Sequence, residues 1–465
     1  GHSLLVFAFI ASLPFTRLMH VVAGTMNLCL VRKRLGQMVP ISMEELEETG
    51  KTGVEHVHEF TRLQLMSLDA CVACGRCTDA CPATEAGKPL SPMSIVQDIR
   101  TQFNSAGPLV AAARRAGGDE EALAELEVPR LHGDVIAAES LWSCTTCNAC
   151  NDVCPLGVSP VEFITDMRRF QVGNGELSGP PAVSLQKVQR SGNPWGLPAR
   201  ERFAWAEGLD VPTVKSNPEF EVLYWIGCSA SYDRRVQKVA QAVVKLLDVA
   251  GVNYATLGPE ERCTGEFARR MGDEFLFQEL AETNVEVLGR YKVKQVITHC
   301  PHCLNSLSQD YPQFGGDYEV VHHSVFLSQL IMDGKLQVDP AKAGIGGGKI
   351  TFHDPCYLSR VNGVTDEPRT LIGASKAGEL EEMPRNRRST ACCGAGGGRM
   401  WFDDEPAERV GRGRVDEALS TGADTVAVAC PFCLTINTVG VVSMGGAAKV
   451  LDVADLWAAA FDDRG

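Results

Sequence analysis

Cys71-Val-Ala-Cys74-Gly-Arg-Cys77-Thr-Asp-Ala-Cys81-Pro82 returns 73 positions later as Cys144-Thr-Thr-Cys147-Asn-Ala-Cys150-Asn-Asp-Val-Cys154-Pro155. Each copy reads C-x2-C-x2-C-x3-C-P. Three closely spaced thiolates can each reach one iron of a cube, while the fourth lies too far along the chain and ligates the other motif's cluster. The spacing therefore predicts one [4Fe–4S] cluster on Cys71, Cys74, Cys77 and Cys154, and a second on Cys144, Cys147, Cys150 and Cys81. Zinc is the competing reading, but it wants four ligands in two C-x2-C pairs rather than a triplet plus one. A disulfide scaffold is disfavoured because C-x2-C pairs are too close to staple a large chain.

Around these motifs the pattern is helical. Ser91-Pro92 supplies a cap and a first-turn proline, with Ile95, Val96, Ile99 and Phe103 on one face behind it. Ser159-Pro160-Val-Glu162 reads as a capping box ahead of Phe163, Ile164, Met167 and Phe170. A Pro- and Gly-bearing stretch from Gly173 to Pro218 follows, with a short helix expected at Glu201 to Ala206.

Nine more cysteines form a second duplicated pair. Cys228, Cys263, Cys300 and Cys303 are answered by Cys356, Cys392, Cys430 and Cys433 at offsets of 128 to 130, and Cys393 stands where the first copy has Thr264. Only Cys29 falls outside all blocks. Both copies alternate strand and helix. Strands are expected at Val222–Ile226, Val293–Thr298, Ile350–His353 and Thr425–Ala429, each with a cysteine just past its end. Helices fit Asp233–Ala250, Phe267–Leu288 and Pro406–Ser420. Ligands in open α/β sheets gather beyond the carboxyl ends of strands, so the cysteines of each half should converge there. The second half offers five thiolates, one more than a cubane needs, and the first half four. Gly394-Ala-Gly-Gly-Gly398 lacks the spacing of a nucleotide loop and fits a tight turn beside a cluster. His302, His322, His323 and His353 flank the cysteines as hydrogen-bonding or core groups rather than ligands.

At 465 residues the chain can hold two or three domains. Its formal net charge of −14 argues against nucleic-acid binding and is neutral about protein partners. Reduced thiolates holding metal imply a cytoplasmic setting. From Leu4 to Leu30 the chain is largely apolar, long enough for one membrane-spanning helix. Arg32-Lys33-Arg34 then places the downstream part on the cytoplasmic side. The opening Gly1 suggests a piece whose earlier membrane helices lie upstream. On one continuous helix His2 and His20 would be five turns and roughly 27 Å apart, a spacing that suits ligands of two stacked b haems.

Two resemblances follow from these residues. The stretch around Leu13-Pro14-Phe15-Thr16-Arg17-Leu18-Met19-His20 resembles the last haem-binding helix of the nitrate reductase gamma-subunit family, a di-haem cytochrome b that exchanges electrons with quinone. The duplicated C…CCG…C-x2-C pattern behind a helical ferredoxin resembles the CCG-domain proteins typified by the D subunit of heterodisulfide reductase, over about 400 of 465 residues. That family implies a noncubane [4Fe–4S] cluster on Cys356, Cys392, Cys393, Cys430 and Cys433. Cys263-Thr264-Gly265 departs from CCG, so the resemblance leaves a further cluster on Cys228, Cys263, Cys300 and Cys303, and disulfide cleavage, open. Cys263-Thr-Gly-Glu-Phe-Ala-Arg-Arg-Met-Gly272 and Cys392-Cys-Gly-Ala-Gly-Gly-Gly-Arg-Met-Trp401 are similar to bacterial membrane Fe–S oxidoreductases.

The resulting expectation is a multidomain protein of the inner (cytoplasmic) membrane. It comprises the C-terminal end of a transmembrane helical cytochrome b domain (1–31), a linker (32–58), an α-helical two-[4Fe–4S] ferredoxin domain (59–178), a second linker (179–218), and a duplicated α/β CCG domain in halves 219–340 and 341–465. The resemblance implies electron transfer between electron-transfer flavoprotein, or another soluble donor, and menaquinone or another quinone, with no nucleic-acid partner. Two alternatives stay open: a heterodisulfide reductase-like thiol–disulfide oxidoreductase, and the iron–sulfur subunit of a glycolate or lactate oxidase.

Overall fold

In the computed structural model the apolar opening of the chain is two helices, α1 (His2–Ser12) and α2 (Met19–Leu30), rather than one. The expected end of a transmembrane cytochrome b domain is thereby overturned. Among the described residues no helix is long and apolar enough to cross a membrane. The two helices have 11 and 12 residues, where a span needs about 20. The run contains Pro14, and a proline inside a helix removes a donor and clashes with the preceding turn. Helix α2 turns Ala23, Gly24 and Asn27 inward, and Asn27 Nδ2 donates to Leu156 O at 2.7 Å. His2 and His20 lie on different helices, so the five-turn spacing no longer applies and the haem b expectation loses its basis.

Described residues are 1–461 except 14, 15, 17, 31–33, 43, 45, 47–49, 51, 119–121, 124, 125, 338–347, 406 and 407. Pro14, Phe15 and Arg17 of the haem-helix resemblance, and Arg32 and Lys33 of the basic run, lie outside them. Two units make up the chain, the first of residues 1–35 and 41–176, the second of residues 36–40 and 177–465.

The first unit is helical. Its frame is α1, α2, α3 (Arg62–Ala70), α4 (Pro92–Arg115) and α5 (Pro160–Gly173). Thr61 caps α3 in a box with Gln64, Ser91 caps α4 and Ser159 caps α5, each accepting from the backbone N–H three residues on. Ile95, Val96 and Ile99 of α4 and Phe163, Ile164 and Met167 of α5 are buried, as their spacing predicts. The segment before α3 crosses α5 closely enough that a Cβ on Gly53 would fall 2.4 Å from Phe170 N.

Beginning with α6 (Gly179–Ser191), the second unit contains two four-stranded parallel sheets. Strands β1 (Val222–Trp225), β2 (Tyr254–Ala255), β3 (Gln295–Thr298) and β4 (Glu319–His322) lie in the order β2-β1-β3-β4. Strands β5 (Gly348–Phe352), β6 (Gly378–Leu380), β7 (Thr425–Val428) and β8 (Lys449–Asp452) repeat it as β6-β5-β7-β8. The duplication seen in the cysteines is therefore a duplication of topology. In each sheet the strand order reverses between its first and third strands, the place where an α/β sheet opens a crevice.

Helices α7 (Arg234–Val249), α8 (Glu274–Arg290), α9 (Arg412–Ser420) and α10 (Pro431–Ser443) belong to these halves. The helix expected from Phe267 to Leu288 is broken, because Gly272 sits at φ 103 and Asp273 starts a new N-cap. One apolar cluster runs through both halves, from Tyr224 and Leu246 to Phe352 and Trp457. Full burial of such side chains contributes about 1.5–3 kcal/mol each.

Near the C-terminus, burial and the neighbouring Asp452 push the Asp455 carboxyl up to about 7. A folded value above the unfolded one means that its stability contribution is complete below the unfolded pKa and is lost as pH rises through about 7. The residue also accepts from Asp452 N at 3.0 Å, a bond that an amide oxygen can replace. Asp455→Asn should therefore stabilise the protein by about 2 kcal/mol at pH 8 and leave it unchanged at pH 4. Denaturant midpoints at the two pH values measure this, and an equal effect at both would refute the ionic origin.

Candidate metal centres

The cysteines of the first unit sort into two cavities. One is lined by Cys71, Cys74, Cys77 and Cys154, the other by Cys81, Cys144, Cys147 and Cys150. The fourth cysteine of each motif thus faces the triplet of the other. Both motifs wrap by the same backbone device. Ala73 (φ 52) and Thr146 (φ 51) are left-handed, and so are Gly75 (φ 83) and Asn148 (φ 61), 73 positions apart in each case. Left-handed backbone costs about 1–2 kcal/mol at a non-glycine residue. Its recurrence at matching positions marks a conformation imposed by what the thiols must surround.

Among the described residues no cysteine is in a disulfide. Burial, with Cys71 and Cys154 close by, pushes the Cys77 thiol up to about 11. Burial pushes Cys144 up to about 12 against the pull of Arg168. A buried thiol of this kind ionises most readily when a cation is supplied, so cysteines gathered four to a cavity fit a cationic metal centre. The surroundings donate to sulfur: Gln97 Nε2 to Cys71 (3.2 Å), Thr146 N to Cys144 (3.4 Å) and Val158 N to Cys154 (3.3 Å). Buried Arg168 lies over the Trp142 ring at 4.7 Å and donates to Cys144 O at 2.7 Å. The sets differ in access. Cys74 is exposed and its three partners are half-buried, whereas all four cysteines of the other set are buried.

In the second half of the other unit, Cys356 follows β5, Cys430 and Cys433 flank the start of α10 after β7, and Cys392-Cys393 lie on a loop. All five are buried. Sγ of Cys433 lies 3.4 Å from Sγ of Cys393, and Gly394 N donates to Cys392 Sγ at 3.3 Å. Gly394 (φ +92) cannot carry a side chain, since its Cβ would meet Gly411 N at 2.8 Å. The glycine run therefore brings a backbone amide to a cysteine. His353 Nε2 lies 3.3 Å from Cys433 Sγ, while Arg414 Nε donates to His353 Nδ1 at 2.8 Å. Burial, with Arg414 alongside, pushes His353 down to about 3, so the ring is neutral.

In the first half, Cys228, Cys263, Cys300 and Cys303 are all buried. Gly265 N donates to Cys263 Sγ at 3.4 Å, and Thr264 Oγ1 points at Cys303 Sγ from 3.8 Å. Arg202 comes from the 3-10 helix Ala199–Ala206, within the stretch expected to be a linker. It donates to Cys228 Sγ at 3.3 Å and pairs with Glu261 at 2.9 Å, and Glu261 in turn accepts from Ile226 N and Gly227 N. Nothing in the spacing points to Arg202, which precedes Cys228 by 26 residues.

A buried ionic chain within the first half reaches the second half through His302 and Arg270, which pack on Tyr357. His302 bonds Glu266 at 2.9 Å, Arg270 reaches Glu266 and Asp310, and Arg269 pairs with Asp310 and Glu274, both at 2.9 Å. Burial opposes the charge on His302, but Glu266, with Cys430 and Cys393 near, raises it to about 9. Its ring packs on Tyr357 with centroids 4.3 Å apart. The imidazolium of the first half's C-x2-C motif thus faces the second half's cysteines.

Known protein families and relatives match this chain in sequence. The cysteine-rich domain family CCG matches residues 222–308 and 350–436, and the 4Fe-4S dicluster domain family matches 66–158. A probable iron–sulfur-binding oxidoreductase of Bacillus subtilis is 38% identical, over 94% of this chain and 65% of that protein. An EtfAB:quinone oxidoreductase of Syntrophomonas wolfei is 36% identical, over 98% of this chain and 67% of that one. The D subunit of a dihydromethanophenazine:CoB–CoM heterodisulfide reductase of Methanosarcina barkeri is 33% identical, over 80% of this chain and 89% of that one. The chain spans about two thirds of the length of the first two. With its dicluster domain followed by a duplicated cysteine-rich domain, the chain belongs to the CCG-domain family of iron–sulfur oxidoreductases that includes the D subunit of heterodisulfide reductase.

Proposed function

We propose that the chain passes electrons between reduced electron-transfer flavoprotein and a quinone such as menaquinone, at the cytoplasmic face of a membrane. The observation that carries this reading is the sorting of eight cysteines of the first unit into two cavities of four, with nine more cysteines buried in the second unit. Iron–sulfur clusters bound there supply one-electron transfer. Cys71, Cys74, Cys77 and Cys154 would hold one [4Fe–4S] cluster and Cys81, Cys144, Cys147 and Cys150 another. Cys356, Cys392, Cys393, Cys430 and Cys433 would hold a noncubane cluster. Cys228, Cys263, Cys300 and Cys303 would hold a further cluster of a different kind, with Thr264 in place of a fifth thiol.

The protein's own groups prepare these sites. Backbone and side-chain N–H groups donate to sulfur, buried Arg168 and Arg202 offset thiolate charge, and the packed sheets keep water out. The name of the Syntrophomonas relative supplies the donor and acceptor classes of the proposal. A place at a membrane surface draws support from α1, which buries no residue and exposes Leu4, Leu5, Phe7 and Phe9.

The test is anaerobic mixing of the metal-loaded protein with reduced flavoprotein, followed by a menaquinone analogue. The iron–sulfur absorbance should bleach on the first addition and return on the second. Clusters that dithionite reduces but the flavoprotein does not would rule out this donor.

A further inference from the structure

The nearness of His353, Cys393 and Cys433, whose donor atoms all lie within 4.8 Å of one another, suggests a mixed histidine–cysteine metal site. The hydrogen bonds around the ring argue otherwise. Arg414 Nε lies 2.8 Å from His353 Nδ1, and a guanidinium carries only donors. Nδ1 must therefore present its lone pair to Arg414. The neutral ring then carries its one proton on Nε2, the atom 3.3 Å from Cys433 Sγ. An Nε2 bearing a proton has no lone pair for iron and donates to sulfur instead.

Arg414 is itself fixed. It is buried, donates to Arg385 O at 2.7 Å and pairs with Glu417 at 3.0 Å. Rotation of the guanidinium away from the ring would break both bonds. The first half lacks the device: by strand register the counterpart of His353 is Trp225, a buried indole whose Nε1 has no hydrogen-bond partner. The two halves therefore treat equivalent cysteines differently, with a charge-backed imidazole on Cys433 and the Thr264 hydroxyl at 3.8 Å on Cys303.

We propose that His353, its tautomer set by Arg414, donates a hydrogen bond to the Cys433 sulfur and so raises the reduction potential of the centre held by the second-half cysteines. The reasoning is electrostatic. Reduction adds negative charge to the ligating sulfurs, and a donor aimed at one of them stabilises the reduced state more than the oxidised one. His353 is a positioning residue that acts through the Cys433 sulfur. The inference rests on the second-half cysteines holding an iron–sulfur centre, and is independent of which donor reduces it.

The experiment is a redox titration of the metal-loaded protein followed by electron paramagnetic resonance, with iron content measured on every variant. The second-half signal is identified by its loss in Cys433→Ser. His353→Leu should lower the reduced-to-oxidised ratio at fixed poise about tenfold, or ~59 mV for a one-electron couple. His353→Gln, which can still offer an N–H, should stay within about twofold, and Arg414→Met, which frees the tautomer, should fall between. Electron–nuclear double resonance should find, beside the proton of the Gly394 N–H, an exchangeable proton coupled to the centre that disappears in His353→Leu. If His353→Leu binds no iron, the Gln and Met variants and the proton coupling decide. Unchanged potentials with full iron, or a strong directly bonded nitrogen coupling, overturn the proposal. A wild-type protein with no iron on these cysteines overturns the reading beneath it as well.

Discussion

Replacing Cys154 with serine should destroy the centre built around Cys71, Cys74 and Cys77, not the one nearest to it in sequence. Cys154 belongs to the second motif but lines the first motif's cavity, and Cys81 does the converse. Cys154→Ser is therefore expected to lose about four irons per chain together with one cubane signal. Cys81→Ser should lose the same amount and the other signal. Cys81→Ser should also cost more stability, because its set is fully buried and an emptied cavity there leaves a serine hydroxyl and unliganded thiols out of water. Iron analysis and low-temperature paramagnetic resonance on both variants provide the check. If each serine removed the cluster of its own motif, the crossed assignment would be wrong.

Arg269→Met should be the most damaging change away from the cysteines. Arg269 is fully buried, pairs with Glu274 and Asp310, and lies over Phe277 at 4.3 Å. Its removal takes a guanidinium from two buried carboxylates, leaving Asp310 with Arg270 and Glu274 with the Gln278 amide, and breaking a buried pair from one side costs about 3–5 kcal/mol. Part of that loss should be recovered in acid. The two carboxyls can then take up protons, so the gap between variant and wild type should narrow from pH 8 to pH 5. Urea midpoints at both pH values test this. A loss under about 1 kcal/mol would mean that the network adds little, as is common for exposed pairs.

Local spacing makes much of this legible in the sequence. The C-x2-C-x2-C-x3-C-P repeats fix their ligands within a dozen residues, and the strands ending near cysteines at Trp225, Thr298, Phe352 and Val428 are rich in apolar or β-branched positions. The strands β2, β4, β6 and β8 are not legible in the same way. Residues such as Tyr254-Ala255 and Gly378–Leu380 are too few to show alternation, and parallel pairing with a distant partner makes them strands. Apolar periodicity carries helix 267–288 across Gly272 because it is blind to one left-handed residue.

The N-terminal expectation fails for a related reason. It sums apolar content over a run that the protein uses as two short helices, and the inward face of α2, with Asn27 bonded to Leu156 O, has the polarity of a protein core. Arg202 and Arg414 are invisible in the sequence because each meets its partner only after a long stretch of chain has folded back. Residues 202 and 228, and 353 and 414, are neighbours in space alone.

The unequal access of the two sets in the helical unit implies that the protein ages from one end. Cys74 stands open to solvent, while Cys81, Cys144, Cys147 and Cys150 are sealed. Of the cysteines in the two sets, oxygen, peroxide or an alkylating reagent meets Cys74 first, so handling in air should erode one centre and spare the other. A preparation that has lost activity can then still look half intact by its colour. Its history would be written in which thiols a mass spectrometer finds modified.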